Sequence, residues 1–270
     1  MTDMMEALSR LRFNGLATNA YFIAAAVCIA LIAIGSIVFP KNSGLAVFLF
    51  DNSTISFFAP VYPFTIQNAL YLMTAMGIAD LSVRHMATQR EQSYLKQHLL
   101  PEDDTTILQI DDLGPIRRKT AALHASEESF LPHLIDLSIL QLFTSRSLEQ
   151  AVQIYTSTLE LMSHRLDLAY QTTRFLVWII PTTGFIGTVI GISIALEGMH
   201  DPKHIAFDKI TAGLAVAFYT TILALLLSAL LVFFQNLVQR REEATLNKAA
   251  YYCLKNLINR IYSDPISEKR

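Results

Sequence analysis

The chain has 270 residues, 52% of them hydrophobic and 16% charged, with a formal net charge of −2 and a mean hydropathy of +0.37. Soluble domains carry about 25% charged residues, so this composition excludes an ordinary soluble globular protein. The near-neutral charge excludes the basic footprint of a nucleic-acid binder, and the clustering of the apolar residues is the pattern of membrane spans separated by aqueous segments.

Residues 1–18 form a short leading segment with Arg10 and Arg12. The first apolar run, 19–39, is longer than a signal-peptide core and ends without a small-x-small site, so it reads as an uncleaved span. Cys28 lies inside it, whereas Cys253 lies in a charged tail, and the two do not read as a disulfide. A loop over 40–56 leads to a weaker run, 57–79, interrupted by Pro60, Pro63, Gln67 and Asn68.

Residues 80–173 are the main aqueous segment. It contains the turn-like Leu113-Gly114-Pro115 and the acidic residues Glu102, Asp103, Asp104, Asp111 and Asp112, and the expectation is helix, connection, helix. From Leu148 on, Val152, Tyr155, Leu159, Met162, Leu166 and Ala169 recur at steps of four and three. That heptad seam enters the third span without a breaker. The third and fourth spans, about 175–196 and 210–237, occupy 174–237. Residues 238–270 continue as an amphipathic helix with Ala244, Tyr251, Leu254 and Ile258 on one side. These faces would pack within one subunit or between subunits. The predicted fold is all-α: a polytopic membrane protein with four transmembrane helices, the last two extended into a cytoplasmic helical bundle.

Orientation follows the positive-inside rule. Arg10, Arg12, Arg84, Arg90, Arg165, Arg174, Arg240 and Arg241 share one side; Lys41, Lys203 and Lys209, mixed with Asp51, Asp201 and Asp208, share the other. Both termini and the 80–173 segment are therefore expected in the cytoplasm.

The last two spans carry the chemistry. Pro181, Gly184, Thr188, Gly191 and Ala195 share one face of the third, and Gly187 with Gly191 forms a small-xxx-small pair. Gly213, Ala217, Thr221, Ala224 and Ser228 repeat the device on the fourth, with Tyr219 and Thr220 beside Thr221. Thr188 and Thr221 at similar depth would line a path for a proton or hydrated cation. The plainer alternative is that each bonds its own helix carbonyl and the small residues serve packing. Neither span contains Asp, Glu, Lys, Arg or His, so the titratable group of any proton path must come from another polypeptide. Glu197 at the outer end could help gather cations, the plainer reading being a solvated end residue. His200 and His204 bracket Pro202, which disfavours the helix a metal pair would need. Arg117, Arg118 and Lys119 read as a solvated face. No nucleotide loop, nucleophile–base set or cofactor motif occurs, so the chain is not read as an enzyme.

The string IPTTGFIGTVIGI over 180–192 resembles the Pro-x-x-Gly-Leu-x-Gly-Thr-Val-x-Gly signature of the MotA/TolQ/ExbB family, and ITAGLAVAFYTT over 210–221 resembles its Gly-x-x-x-Ala-x-x-x-Thr helix. The two motifs come in the family's order, and the region 174–237 that holds them covers about a quarter of the chain. A large segment between the second and third spans is more similar to the flagellar four-span plan than to the three-span ExbB and TolQ plan. The resemblance implies a stator subunit of the bacterial inner membrane. It would assemble as a homo-oligomer (a pentamer in relatives) around a single-span MotB/TolR/ExbD-like subunit bearing a membrane Asp, and would couple proton or sodium flow to mechanical work. Thr188 and Thr221 match the family's pore-facing threonines, and Pro181 matches the proline at the cytoplasmic start of the third span. One departure is Val216, where ExbB- and TolQ-type members often carry glutamate. Arg84, Arg90 and Glu91 lie where MotA-like members engage a rotor, by position alone. The rival reading is a passive scaffold that presents its cytoplasmic helices to a signalling partner.

Overall fold

The structure is a computed structural model that describes residues 2–41, 43–51, 62–103, 107–126, 129–200 and 205–261, with side chains from residue 18 onward except 124–126. Asp104, the stretch 52–61, the outer-loop residues Asp201, Pro202, Lys203 and His204, and 262–270 lie outside these described residues, as do the side chains of Arg10 and Arg12.

The elements are α1 (Thr2–Val38), α2 (Gly44–Phe50), α3 (Ile66–Leu95), α4 (Leu113–Ser126), α5 (Phe130–Ser145), α6 (Leu148–Ala169), α7 (Gln171–Glu197) and α8 (Phe207–Asn256). Short 3-10 turns at Ile110–Asp112 and Ile258–Arg260 complete them, and an isolated bridge joins Leu108 to Ile261. The fold is all-helical among the described residues. Three stretches are long and apolar enough to cross a membrane: Thr18–Val38, Leu148–Glu197 and Phe207–Arg260. In the second of these, α6 and α7 are separated by the single turn residue Tyr170. The predicted second span falls partly on 57–61, outside the described residues. From Ile66 onward it belongs to α3, where Gln67, Asn68 and Asp80 dilute the apolar run. The chain is thus a polytopic all-α membrane protein with three long apolar helices, and a fourth span remains a proposal.

The chain divides into two compact units. One comprises 17–83 and 171–237. Here Asp80, only 8% exposed, accepts hydrogen bonds from Tyr21 Oη (3.0 Å) and Thr173 Oγ1 (2.6 Å), so one carboxylate joins α1, α3 and α7. Ser43 caps α2 by accepting from Ala46 N, and Asp51 ends it in a left-handed conformation at φ 53°. Phe50 of α2 fills the space that Gly35 leaves on α1, and Phe48 meets Tyr219 edge-on at 5.2 Å.

The other unit comprises 84–170 and 238 onward, with 1–16. The expected helix–connection–helix resolves into more pieces: the end of α3, then α4, α5 and α6. Strongly apolar α5 is the centre, burying Leu131, Leu134, Ile135, Ile139 and Leu142. Its first turn is held by Glu91, whose carboxylate accepts from Phe130 N at 2.8 Å, a favourable pairing of an anion with a helix N-terminus. Arg84 donates to Ala169 O and lies 4.7 Å above the Tyr170 ring, and Tyr170 Oη donates to Glu242 at 2.6 Å. Glu91 and Arg84 therefore have internal roles. Arg117 does as well: rather than a purely solvated face, it pairs with Asp136 at 3.2 Å across α4 and α5.

Two predicted faces need correction. On α6 the buried residues are Ala151, Tyr155, Thr158, Met162 and Leu166, while Val152 is exposed and Leu159 half-buried. Tyr155, Met162 and Leu166 of the predicted seam are buried as expected, and Tyr155 donates its hydroxyl to Ala250 O of α8 at 2.8 Å; Ala151 and Thr158 take the places expected for Val152 and Leu159. On distal α8, Ala244, Tyr251 and Leu254 face outward; of the predicted set only Ile258 is buried. The buried face carries Glu242, Thr245, Leu246, Ala249 and Cys253. Its polar members are satisfied, Glu242 by Tyr170 and Thr245 by Gln92 at 3.2 Å, so polarity there does not mark the solvent side.

Candidate functional site: the paired helices α7 and α8

Within the first unit, α7 and α8 run antiparallel, with Gly191 beside Gly213 and Ala217, Gly184 beside Ala224, and Ser228 beside Val177. The contact is backbone on backbone. A Cβ added to Gly191 would lie 2.5 Å from Ala217 N; one on Gly213 would lie 2.5 Å from Gly191 O; one on Gly184 would lie 2.5 Å from the Ala224 methyl. Gly187 is filled by Thr220. Small residues permit this approach where apolar burial alone gives helices in lipid no reason to associate.

Against that close seam, Thr188 Oγ1 and Thr221 Oγ1 stand 2.5 Å apart. Each also reaches two carbonyls, one on each helix. Thr188 Oγ1 lies 3.3 Å from Gly184 O and 3.3 Å from Ala217 O; Thr221 Oγ1 lies 3.3 Å from Gly184 O and 3.0 Å from Ala217 O. The cluster therefore holds four oxygens and two hydroxyl protons. One proton bridges the hydroxyls and the other bonds a carbonyl, which leaves several lone pairs without a donor. Such an oxygen-rich spot suits an incoming proton donor or a cation. Both threonines are half-buried, so the cluster is open on one side of the chain. Thr182 and Thr183 show the plainer behaviour, each donating to its own helix carbonyl, Trp178 O and Ile179 O, at 2.9 Å. Thr188 and Thr221 differ because their hydroxyls also reach across the helix pair.

The other predicted positions separate by role. Thr220 is fully buried beneath Gly187 and donates to Val216 O at 2.8 Å, so it packs the seam. Tyr219 directs its ring to Phe48 of α2. Val216, at the position of the relatives' glutamate, is 3% exposed. Pro181 lies inside α7 and lacks the N–H that would bond Val177 O. Ser228 of α8 supplies the missing donor, its Oγ lying 2.9 Å from that carbonyl. Sequence reasoning did not pair Ser228 with Pro181, although a proline with a serine on the opposing stripe was the available signal. It also passed over Asp80, because that residue closes an interrupted run rather than sitting within one.

The fold and this seam define a multi-pass helical membrane protein whose last two apolar helices form a charge-free, hydroxyl-bearing pair. Residues 125–250 match the model of the MotA/TolQ/ExbB proton channel family. That stretch contains both threonines and the whole seam, so over this part the chain is similar to a family of proton channels. Comparisons with curated proteins and with solved structures gave no match.

Proposed function

We propose that this chain is the channel-forming subunit of an ion-driven stator in the bacterial inner membrane, with both termini and the 80–173 segment in the cytoplasm. In this reading several copies surround a single-span, aspartate-bearing partner, and proton or sodium flow past that aspartate drives mechanical work. The observation that carries it is the Thr188–Thr221 hydroxyl pair, fixed by a glycine seam, open on one side and lacking any ionisable neighbour on α7 or α8 within the apolar stretch. The seam fixes the hydroxyls in depth and spacing; the partner's carboxyl group supplies the titratable site that this pair lacks. Each charge crossing 100 mV delivers about 2.3 kcal/mol, which only a coupled conformational cycle can use.

The test is proton flux, read by a pH-sensitive dye, in vesicles containing the chain with its single-span partner. Thr188→Val and Thr221→Val preserve shape and remove the hydroxyl. Each is expected to lower flux at least about tenfold, a barrier change near 1.4 kcal/mol, while the complex still purifies intact. Full flux from both variants would refute the assignment.

A further inference from the structure

Pro63, Gln67 and Asn68 interrupt the second apolar run, and the channel reading gives them no task. In the structure they surround the start of α3. Gln67 is fully buried, and neither Oε1 nor Nε2 of its carboxamide has a hydrogen-bond partner among the described residues. Asn68, 7% exposed, donates through Nδ2 to Pro63 O at 2.7 Å. That bond fixes its carboxamide and leaves Oδ1 buried and unmatched.

The surrounding backbone is already engaged. Thr65 N also donates to Pro63 O (2.9 Å), so that carbonyl has no lone pair left for Gln67, and Ala69 N donates to Thr65 O (3.1 Å). Thr65 Oγ1 accepts from Asn68 N and donates to Phe50 O of α2, both at 3.3 Å. A buried polar group without a partner keeps its whole desolvation cost, and native structures match nearly all such groups with protein or ordered water. The two amides need one acceptor, for Gln67 Nε2, and two donors, for Gln67 Oε1 and Asn68 Oδ1. A water molecule offers that set, with two O–H groups to donate and a lone pair to accept. A bare cation would set positive charge against the Nε2–H, and an anion would face two oxygens. Asp51, one residue past Phe50 and 1% exposed, makes a sodium ion the nearest rival, yet Gln67 Nε2 would stay unmatched beside it.

We propose that the start of α3 is an internal water-binding site formed by Gln67 and Asn68. The water donates to Gln67 Oε1 and Asn68 Oδ1 and accepts from Gln67 Nε2. It sits at the joint where Thr65 ties α3 to Phe50 of α2, and α2 in turn sets Phe48 against Tyr219 of α8 at 5.2 Å. A bound water is thus part of the support for the flank of the channel helix. The site does not depend on the stator reading, since it uses no residue of the Thr188–Thr221 cluster.

The experiment is X-ray hydroxyl-radical footprinting of the full chain in detergent, read by mass spectrometry, because a bound water releases its radical beside the side chains it touches. Leu70, on the same side of α3 as Gln67, and Phe50 are expected to be oxidised although they are 0% and 9% exposed. Ile135 and Ile139, fully buried in α5, should stay unmodified. Gln67→Leu should abolish the oxidation of Leu70 and Phe50. It should also lower the melting temperature by at least about 2 °C, since Asn68 Oδ1 then loses its donor. Leu70 and Phe50 as silent as the α5 pair in the wild-type chain, or oxidation unchanged in Gln67→Leu, would overturn the proposal. So would a rise in melting temperature for Gln67→Leu, the mark of a dry amide. A gain in melting temperature from sodium over choline chloride that Gln67→Leu abolishes would put a cation in the water's place and overturn it too.

Discussion

The two halves of α8 pack by opposite means. Its first half meets α7 through Gly213, Ala217 and Ala224, with backbone atoms touching and almost no side chain between. Its second half is held by long polar side chains reaching from elsewhere: Tyr170 to Glu242, Gln92 to Thr245 and Tyr155 to Ala250. In the first half specificity comes from what is absent, since any added atom collides. In the second it comes from individual hydrogen bonds, each of which can be removed singly. The same helix should therefore respond to added volume at one end and to lost polar atoms at the other.

The sharpest way to break that contrast is to add volume to the seam. Gly191→Val or Gly213→Val places branched carbon against backbone that cannot move aside, and overpacking of this kind costs about 1–3 kcal/mol or more. Both variants are expected to lose the folded species in detergent, judged by size-exclusion profile, whereas Ala244→Val on the outward face of distal α8 should be silent. Next in size is Tyr170→Phe, which leaves the Glu242 carboxylate buried at 7% exposure without its hydroxyl donor. A loss of about 1.5–3 kcal/mol is expected from thermal unfolding, the range for a hydrogen bond to a charged group. Smaller still is Ser228→Ala. Removing the donor that replaces the missing N–H of Pro181 should cost about 1 kcal/mol and change little else.

Cysteine labelling sharpens the comparison from the other side. Cys253 is fully buried, and burial pushes its thiol up to about 12, with the Ser138 hydrogen bond only partly opposing this. The neutral thiol is favoured in the folded state, so its contribution to stability is complete below the unfolded pKa and declines as pH rises from about 8.5 toward 12. Maleimide at neutral pH should leave Cys253 unmodified until the distal unit opens, and labelling kinetics measure that opening.

What could be read from the sequence follows the same division. Gly184, Gly187, Gly191 and Gly213 were visible because backbone contact permits so few residue types that the spacing is itself the signal. Thr188 and Thr221 were found by their place on those stripes. The distal face of α8 was read backwards, because Tyr251 and Leu254 look like core and Glu242 and Thr245 look like surface. Only the partners Tyr170 and Gln92, 72 and 153 positions away in sequence, reverse that. The seam of α6 was read in part: Tyr155, Met162 and Leu166 are buried as their spacing suggested, whereas Ala151 and Thr158, small or polar, are buried in place of Val152 and Leu159. Arg84 and Glu91 were set beside a rotor-contact stretch by position, and the structure gives each a neighbour within its own unit.

The central claim is a division of labour, with hydroxyls and close packing on this chain and the titratable group on another. The most direct measurement is proton flux into sealed proteoliposomes under an imposed potential, comparing the purified chain alone with the chain co-purified with a single-span, aspartate-bearing subunit. The account predicts flux well above that of empty liposomes only when both polypeptides are present. Equal flux from the chain by itself would contradict it.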